Sequence, residues 1–150
     1  MRVVIQRVKT AKVEVTGATV GEINKGLLTF AGFESSDSDE DLNWMADKII
    51  KLRIFDDNEG VMNLSVTDIA AEILVVSQFT LHAKTKKGNR PSYMQAAPPA
   101  MAESLYNKFL SLLKGKSACR MATGLFGAKM DVALVNDGPV TIIIDSKNRE

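Results

Sequence analysis

The sequence contains one cysteine, Cys119, and one histidine, His82, so it lacks the side chains from which most protein zinc sites are built. A lone cysteine cannot form an internal disulfide, and it suits a reducing compartment. Neither G-x-G-x-x-G nor the phosphate-loop pattern G-x-x-x-x-G-K-[ST] occurs, and the segment GLFGAK lacks the required spacing. We therefore expect a protein without a metal or a cofactor.

Long apolar runs are also missing. No stretch approaches the ~20 apolar residues that cross a bilayer. The opening MRVVIQRVKTAKVEV alternates polar and apolar residues, whereas a secretory signal is continuously apolar in its centre. These absences predict a cytoplasmic protein with no membrane partner. Because the net charge is only +1, contact with nucleic acid would require a local basic patch.

The length and composition predict one globular domain, residues 1–150, since 45% of the residues are hydrophobic and 25% are charged. Alternating or continuous apolar segments predict many strands. These segments are MRVVIQRV, AKVEVTGATVGEI, GLLTFAGF, the two halves of RIFDDNEGVMNLSV, AEILVVSQF, residues 117–122, residues 129–135 and VTIIID, with a turn at NDGP.

Two segments predict amphipathic helices. Ser36 or Ser38 can cap the first helix, whose opening DED places carboxylates at the positive end of the helix dipole. The second helix covers PPAMAESLYNKFLSLLKG, begins with proline and is expected to stop at Gly115. The predicted fold is therefore α+β, with two packed, mostly antiparallel β-sheets in a barrel-like arrangement and two α-helices over one face.

One strand ends unusually. The apolar run EILVV leads directly into SQFTL, so hydrogen-bonding side chains at Ser77, Gln78 and Thr80 stand where a buried strand should finish. The following HAKTKKGNR collects four cations beside a glycine, either as a solvated loop or as a contact to phosphate. They are Lys84, Lys86, Lys87 and Arg90.

Conventional side-chain catalysis finds little support. Ser77 and His82 could join an aspartate in a hydrolytic triad, but Ser77 lacks the G-x-S-x-G elbow. His82 could act as a general base, contact phosphate or do neither. Cys119 precedes Arg120, and a nearby cation can activate a thiol, but a lone cysteine is more often a buried filler.

Five stretches in order resemble the D-aminoacyl-tRNA deacylases, homodimeric proofreading enzymes that free tRNA from amino acids of the wrong hand. The resemblance covers the whole chain. It rests on MRVVIQRV, LRIFDDNEGVMNLSV, SQFTL, KGNRPSY and GLFGAKMDVALVNDGPVT. The family also has a relative with relaxed chirality, in which these two signature motifs differ. SQFTL and NDGPVT resemble the motifs of the strict D-specific branch.

The resemblance implies that residues 77–81 line a pocket for the 3′-terminal adenosine of tRNA and its esterified amino acid. Main-chain N–H groups near Phe79 and Thr80 would then form an oxyanion hole, with Ser77 and Gln78 completing the site. The ribose 2′-hydroxyl of the substrate would assist hydrolysis. A positioning role for Thr80 is preferred over a covalent one, because no base or N-terminal amine is identifiable beside it.

The resemblance further implies that the Gly138-Pro139 bond is cis and reaches into the partner subunit's pocket. Its two carbonyls would bind the substrate's α-amino group, so an L side chain would collide with the main chain, while D substrates and glycine would be accepted. Arg7 would either hold this turn or form a surface salt bridge. Phe126 and Met130 would either pack around the terminal adenine or belong to the core.

The resemblance thus predicts a homodimeric hydrolase that acts on D-aminoacyl-tRNA and glycyl-tRNA, with the basic loop on acceptor-stem phosphates. Two alternatives stay open. One is a nucleic-acid-binding protein of the same fold without catalysis. The other is a conventional serine or threonine esterase, which would need Ser77 or Thr80 as its nucleophile.

Overall fold

The computed structural model describes residues 1–150 as eight β-strands and two α-helices. The elements are β1 (Arg2–Val15), β2 (Ala18–Ile23), β3 (Gly26–Gly32), α1 (Asp39–Lys51), β4 (Phe55–Asp56), β5 (Met62–Leu64), β6 (Glu72–Ser77), α2 (Pro99–Lys116), β7 (Met121–Thr123) and β8 (Asp131–Asp145). A 3₁₀ turn at Phe79–His82 follows β6 directly.

Six strands form the main sheet, in the order β2-β1-β3-β6-β7, with β8 along the other edge of β1. The pairs that involve β1 are antiparallel, whereas β6 is parallel to both of its neighbours. The sheet curls until its two end strands, β2 and β7, approach each other. A Cβ at Gly21 of β2 would lie only 2.3 Å from the Thr123 carbonyl oxygen of β7. The small β4-β5 pair is the second sheet. The predicted α+β fold is confirmed.

Apolar side chains on the two faces of the curled sheet build two cores. On β3 and β6, Leu27 and Ile73 face the helices, whereas Leu28 and Leu74 point into the barrel-like interior. Both faces of these strands are therefore buried, which explains why GLLTF and EILVV are continuously apolar. The helices α1 and α2 pack over the outer face and complete the larger core.

Helix α1 is capped by Ser38, the second of the two predicted caps. The Ser38 hydroxyl accepts from the Asp41 N–H, and the Asp41 carboxylate accepts from the Ser38 N–H at 2.8 Å, which completes a capping box. Burial alone would raise the pKa of Asp41, but hydrogen bonds from the Lys147 ammonium and from Ser38 hold this pKa well below its usual range.

Two strand predictions are wrong at their boundaries. β1 continues through residues 9 and 10, and the first reversal comes at Thr16-Gly17, where φ is 49° and 82°. NDGP does not reverse the chain, because both halves of β8 pair with the same long strand β1. The five steps from Asn136 to Thr141 instead face only two steps of β1, so NDGP bulges out of the ladder.

The second helix passes the predicted stop at Gly115 and ends at Lys116. Neither helix of the structure is long and apolar enough to cross a membrane.

Candidate active site

The 3₁₀ turn Phe79–His82 begins with two backbone N–H groups that its own hydrogen bonds do not use. Its first backbone bond runs from the Leu81 N–H to the Gln78 carbonyl at 3.3 Å. The N–H groups of Phe79 and Thr80 come before that bond and have no carbonyl partner within the turn. The turn's own backbone bonds therefore leave these two neighbouring N–H groups unused.

The end of β3 forms the floor beneath this turn. The Gln78 N–H donates to the Ala31 carbonyl at 2.8 Å, which fastens the turn to β3. A Cβ at Gly32 would lie 2.7 Å from the Gln78 carbonyl oxygen and 3.1 Å from atoms of Leu81 and His82. Only glycine at position 32 allows the turn to lie this close to β3.

A cavity of about 590 Å³ opens beside the turn. Its lining is mostly apolar with a few polar groups, which is typical of small-molecule sites. The structure brings five predicted site residues together in this lining. They are Ser77, Gln78, Phe79, Phe126 and Met130.

Aromatic side chains line the cavity. Phe79 is 56% exposed and meets Tyr93 edge to face, with ring centroids 5.1 Å apart. Phe126 packs against Tyr106, whose hydroxyl donates to the buried Val75 carbonyl, so Phe126 touches the core on one side and the cavity on the other. Met130 likewise lines the cavity and packs against the smaller core. Both side chains therefore belong partly to a core and partly to the cavity lining.

The hydroxyl groups near the turn are not arranged as activated nucleophiles. The Gln78 amide Nε2 donates to Thr80 Oγ1 at 2.5 Å, and no imidazole or carboxylate is hydrogen-bonded to Ser77 or Thr80. His82 is buried, and its Nδ1 lies 4.0 Å from a carboxylate oxygen of Glu34. The structure contains no assembled Ser-His-Asp arrangement around this turn.

The Gly138-Pro139 bulge lies elsewhere on the protomer. Its peptide bond is cis, as the resemblance implies, and both residues are exposed. The buried Arg7 side chain donates from Nε to the Asp137 carbonyl at 2.9 Å and from Nη1 to the Ile54 carbonyl at 2.6 Å. The bulge does not line the cavity of its own chain, so one protomer does not bring these two predicted groups together.

The basic loop is closed by a pair of backbone bonds between Lys84 and Ser92, at 2.8 and 3.0 Å. All four predicted cations are exposed, and none of them forms a salt bridge. They are Lys84, Lys86, Lys87 and Arg90. Because Tyr93 follows the loop directly and lines the cavity, the loop lies next to the cavity.

A second cleft, of about 580 Å³, lies between β1, β2 and β8, and its most buried charged group, Glu72, is already paired with Arg120 at 2.8 Å.

Cys119 is half-buried, and its thiol donates to the Val66 carbonyl at 3.6 Å, as expected of a filler. No group of three or more His, Cys, Asp or Glu side chains is close enough to hold a metal ion.

Comparison with known proteins identifies the family. The family model described as D-Tyr-tRNA(Tyr) deacylase matches residues 4–145. The chain belongs to this deacylase family. Among relatives called D-aminoacyl-tRNA deacylase, the protein from Flavobacterium psychrophilum is 59% identical over 150 residues and covers 100% of both chains. That from Thermosipho africanus is 56% identical over 147 residues and covers 98% of both chains.

Two solved structures share the deacylase-family fold. One is described as c-Myc DNA Unwinding Element Binding Protein, with a TM-score of 0.93, 41% identity and coverage of 97% of this chain and 98% of that one. The other, a probable eukaryotic D-amino acid tRNA deacylase, has a TM-score of 0.81 at 20% identity and covers 95% and 97%. At 20% identity, the likeness concerns the fold alone.

Neither Gly32 nor Tyr93 was predicted as a site residue, although the KGNRPSY stretch contains Tyr93. Both lie at the cavity of this deacylase-family member, but each is an ordinary residue in its own segment. Gly32 ends a strand, and Tyr93 follows a charged loop. Their place at the cavity depends on which distant segments pack against them, and a local sequence pattern does not predict such long-range contacts.

Proposed function

We propose that residues 1–150 act as one unit, in the cytoplasm, that hydrolyses the ester bond of D-aminoacyl-tRNA to free tRNA and a D-amino acid. The family and the full-length relatives named D-aminoacyl-tRNA deacylase support this activity. The observation that carries it is the cavity beside two backbone N–H groups with no partner in their turn. An ester placed there would find hydrogen-bond donors without any reactive side chain.

The cavity would hold the 3′-terminal adenosine of the tRNA with its attached amino acid. Its volume of about 590 Å³ falls in the usual range for small-molecule sites. The Phe126 ring and the Met130 thioether provide apolar surface against which a base can pack. The exposed Phe79 and Tyr93 rings would extend this surface at the entrance.

The N–H groups of Phe79 and Thr80 would bind the oxyanion that forms when water adds to the ester carbonyl. The bond to the ribose 3′-oxygen then breaks, and that oxygen takes a proton, assisted by the neighbouring 2′-hydroxyl of the substrate. A single oxyanion donor typically contributes ~3–4 kcal/mol to transition-state stabilisation. With the Thr80 hydroxyl engaged by Gln78, we assign Thr80 and Ser77 positioning roles.

Discrimination between D- and L-aminoacyl substrates would require a homodimer. Gly138 and Pro139 of the partner subunit would enter the cavity, and their carbonyls would bind the substrate's α-amino group. With the amine and the ester both held, an L side chain would run into the main chain, a D side chain would point outward, and glycine would be accepted. The bulge is exposed, Arg7 holds its base, and Ile143 on the same strand leaves 69% of its surface open, as suits an interface.

The basic loop would contact phosphates of the acceptor stem. Its cations are exposed and unpaired, and they lie beside the cavity. We expect Lys86→Gln with Lys87→Gln to raise KM and to reduce the slope of log KM against log salt by roughly 1–2. The matched control removes two exposed lysines from the helices, Lys48→Gln with Lys114→Gln, and should change neither quantity. Equal effects in the two proteins would refute the assignment.

The deciding experiment incubates the pure protein with D-Tyr-tRNA, L-Tyr-tRNA and Gly-tRNA and measures the ester that remains. Loss of the D and glycyl esters with retention of the L ester is expected. Intact ester in all three tubes would refute the enzyme. Ser77→Ala and Thr80→Ala should retain measurable turnover without a trapped covalent adduct, whereas a serine or threonine esterase would lose activity with its nucleophile.

A non-catalytic nucleic-acid-binding protein is the second candidate. One observation favours it, because the structural neighbour at 41% identity is described as binding a DNA unwinding element. This candidate predicts tight binding to DNA together with intact ester in every tube of the deacylation assay. The single exposed basic loop is a small electrostatic surface for that role, so we place it second.

A further inference from the structure

The carbonyl end of the 3₁₀ turn Phe79–His82 is held by a side chain from the other end of the chain. Arg2, at the start of β1, donates from Nη1 to the Leu81 carbonyl at 2.7 Å. The backbone bonds at the two ends of the turn are accepted by the carbonyls of Gln78 and Thr80, and Arg2 provides a side-chain donor for the Leu81 carbonyl. A guanidinium at the carbonyl end of a turn is favourable, because the unpaired carbonyls there concentrate negative charge.

Arg2 is itself held firmly in place. Its Nε and Nη2 both donate to Asp145 Oδ2, at 3.0 and 2.8 Å, and the two residues face each other across the β1-β8 pairing. Partial burial alone would raise the pKa of Asp145, but hydrogen bonds from the Lys147 N–H and the Arg2 guanidinium lower it. The carboxylate is therefore ionised at neutral pH, and its contact with the planar guanidinium orients the remaining donor toward the turn.

We propose that Arg2 is a positioning residue for the reaction, because it fixes the carbonyl end of the turn and thereby the N–H groups of Phe79 and Thr80. The inference rests on the proposed deacylase function. The turn has four residues, so a displacement of Leu81 is passed directly to Thr80. Since a misplacement of about 1 Å can lower a catalytic rate by about a hundredfold, small movements of these donors are costly.

A pair of matched substitutions tests this role. Arg2 and Arg149 are equally exposed, at 38% and 40%, and each pairs with one carboxylate, but Arg149 lies against Trp44 of α1. With D-Tyr-tRNA, Arg2→Met should lower kcat by about ten- to a hundredfold and leave KM within about twofold. Arg149→Met should change neither constant by more than about twofold.

The conservative variant separates positioning from charge. Arg2→Lys keeps the cation but cannot serve Leu81 and Asp145 together in the same planar geometry, so its kcat should lie between those of the wild type and Arg2→Met. All proteins are compared at a temperature at which thermal melting shows them folded. A wild-type kcat in folded Arg2→Met, or an equal loss in Arg149→Met, overturns the proposal.

Amide spectra of ¹⁵N-labelled protein keep this inference testable apart from the proposed function. If the wild type fails to deacylate, the proposed function fails, but the turn can still be observed. Arg2→Met should then shift the amide signals of Phe79 and Thr80 and speed the hydrogen exchange of the Leu81 N–H, whose bond to the Gln78 carbonyl closes the turn, whereas Arg149→Met should leave both unchanged. Unchanged signals in Arg2→Met would show that the turn holds its position without the guanidinium.

Discussion

Replacing Gly32 with alanine is predicted to damage the active site more than the fold. The new Cβ would lie 2.7 Å from the Gln78 carbonyl oxygen, whereas ordinary contact begins at 3.4 Å, so the turn must give way by about 0.7 Å. That oxygen belongs to the backbone immediately before Phe79 and cannot rotate aside. We therefore expect a loss in kcat of about ten- to a hundredfold. The cost in unfolding free energy should be ~1–3 kcal/mol, as for other overpacked sites.

The assay is single-turnover deacylation of D-Tyr-tRNA with protein in excess, beside thermal unfolding of the same samples. Gly115→Ala is the matched control, because it adds the same methyl group in α2 where nothing lies within 4 Å. That control should keep the wild-type rate and gain roughly 0.5–1 kcal/mol of stability. If Gly32→Ala is folded and reacts as fast as the control, the donors cannot depend on this turn, and the reasoning from the Gly32 contact is refuted.

Two further predictions concern stability. The folded-state pKa of Asp41 is lowered. The ionised Asp41 side chain therefore contributes ~1–3 kcal/mol to the free energy of unfolding at pH values above the unfolded pKa of about 3.9. This contribution is lost as the pH falls through the lower, folded-state pKa. Denaturant titrations from about pH 7 to 2 should show this loss, and Asp41→Asn or Lys147→Met should flatten the profile; an unchanged profile in Asp41→Asn contradicts it. Tyr106→Phe should cost only ~0.5–1.5 kcal/mol, since the Val75 carbonyl still accepts from the Gly124 N–H at 3.0 Å. Burial raises the pKa of Tyr106 to about 12, so this cost should be the same between about pH 6 and 9, and a cost that varies across that range would contradict the assignment.

The predictable part of the candidate site lay in one segment. Ser77, Gln78 and Thr80 interrupt an apolar strand, and polar residues at such a place require a local explanation, so the sequence alone indicated SQFTL. The cis bond at Gly138-Pro139 came from family resemblance, because a Gly-Pro pair has no local feature that sets its isomer. The role of Arg2 could not be predicted, since its partner Leu81 is 79 positions away.

Short-range physics determined what the sequence could show by itself. Capping by Ser38, the amphipathic helices and the apolar strands all depend on residues within a few positions of one another, so their patterns are visible in the printed chain. The tertiary structure decided whether NDGP reverses the chain or bulges from β8, because that depends on how far β1 extends beside it. It also decided which carbonyls Arg2 and Arg7 bind and where the cavity opens. These contacts join segments far apart in sequence, and their energies arise only when the sheet curls and brings the segments together.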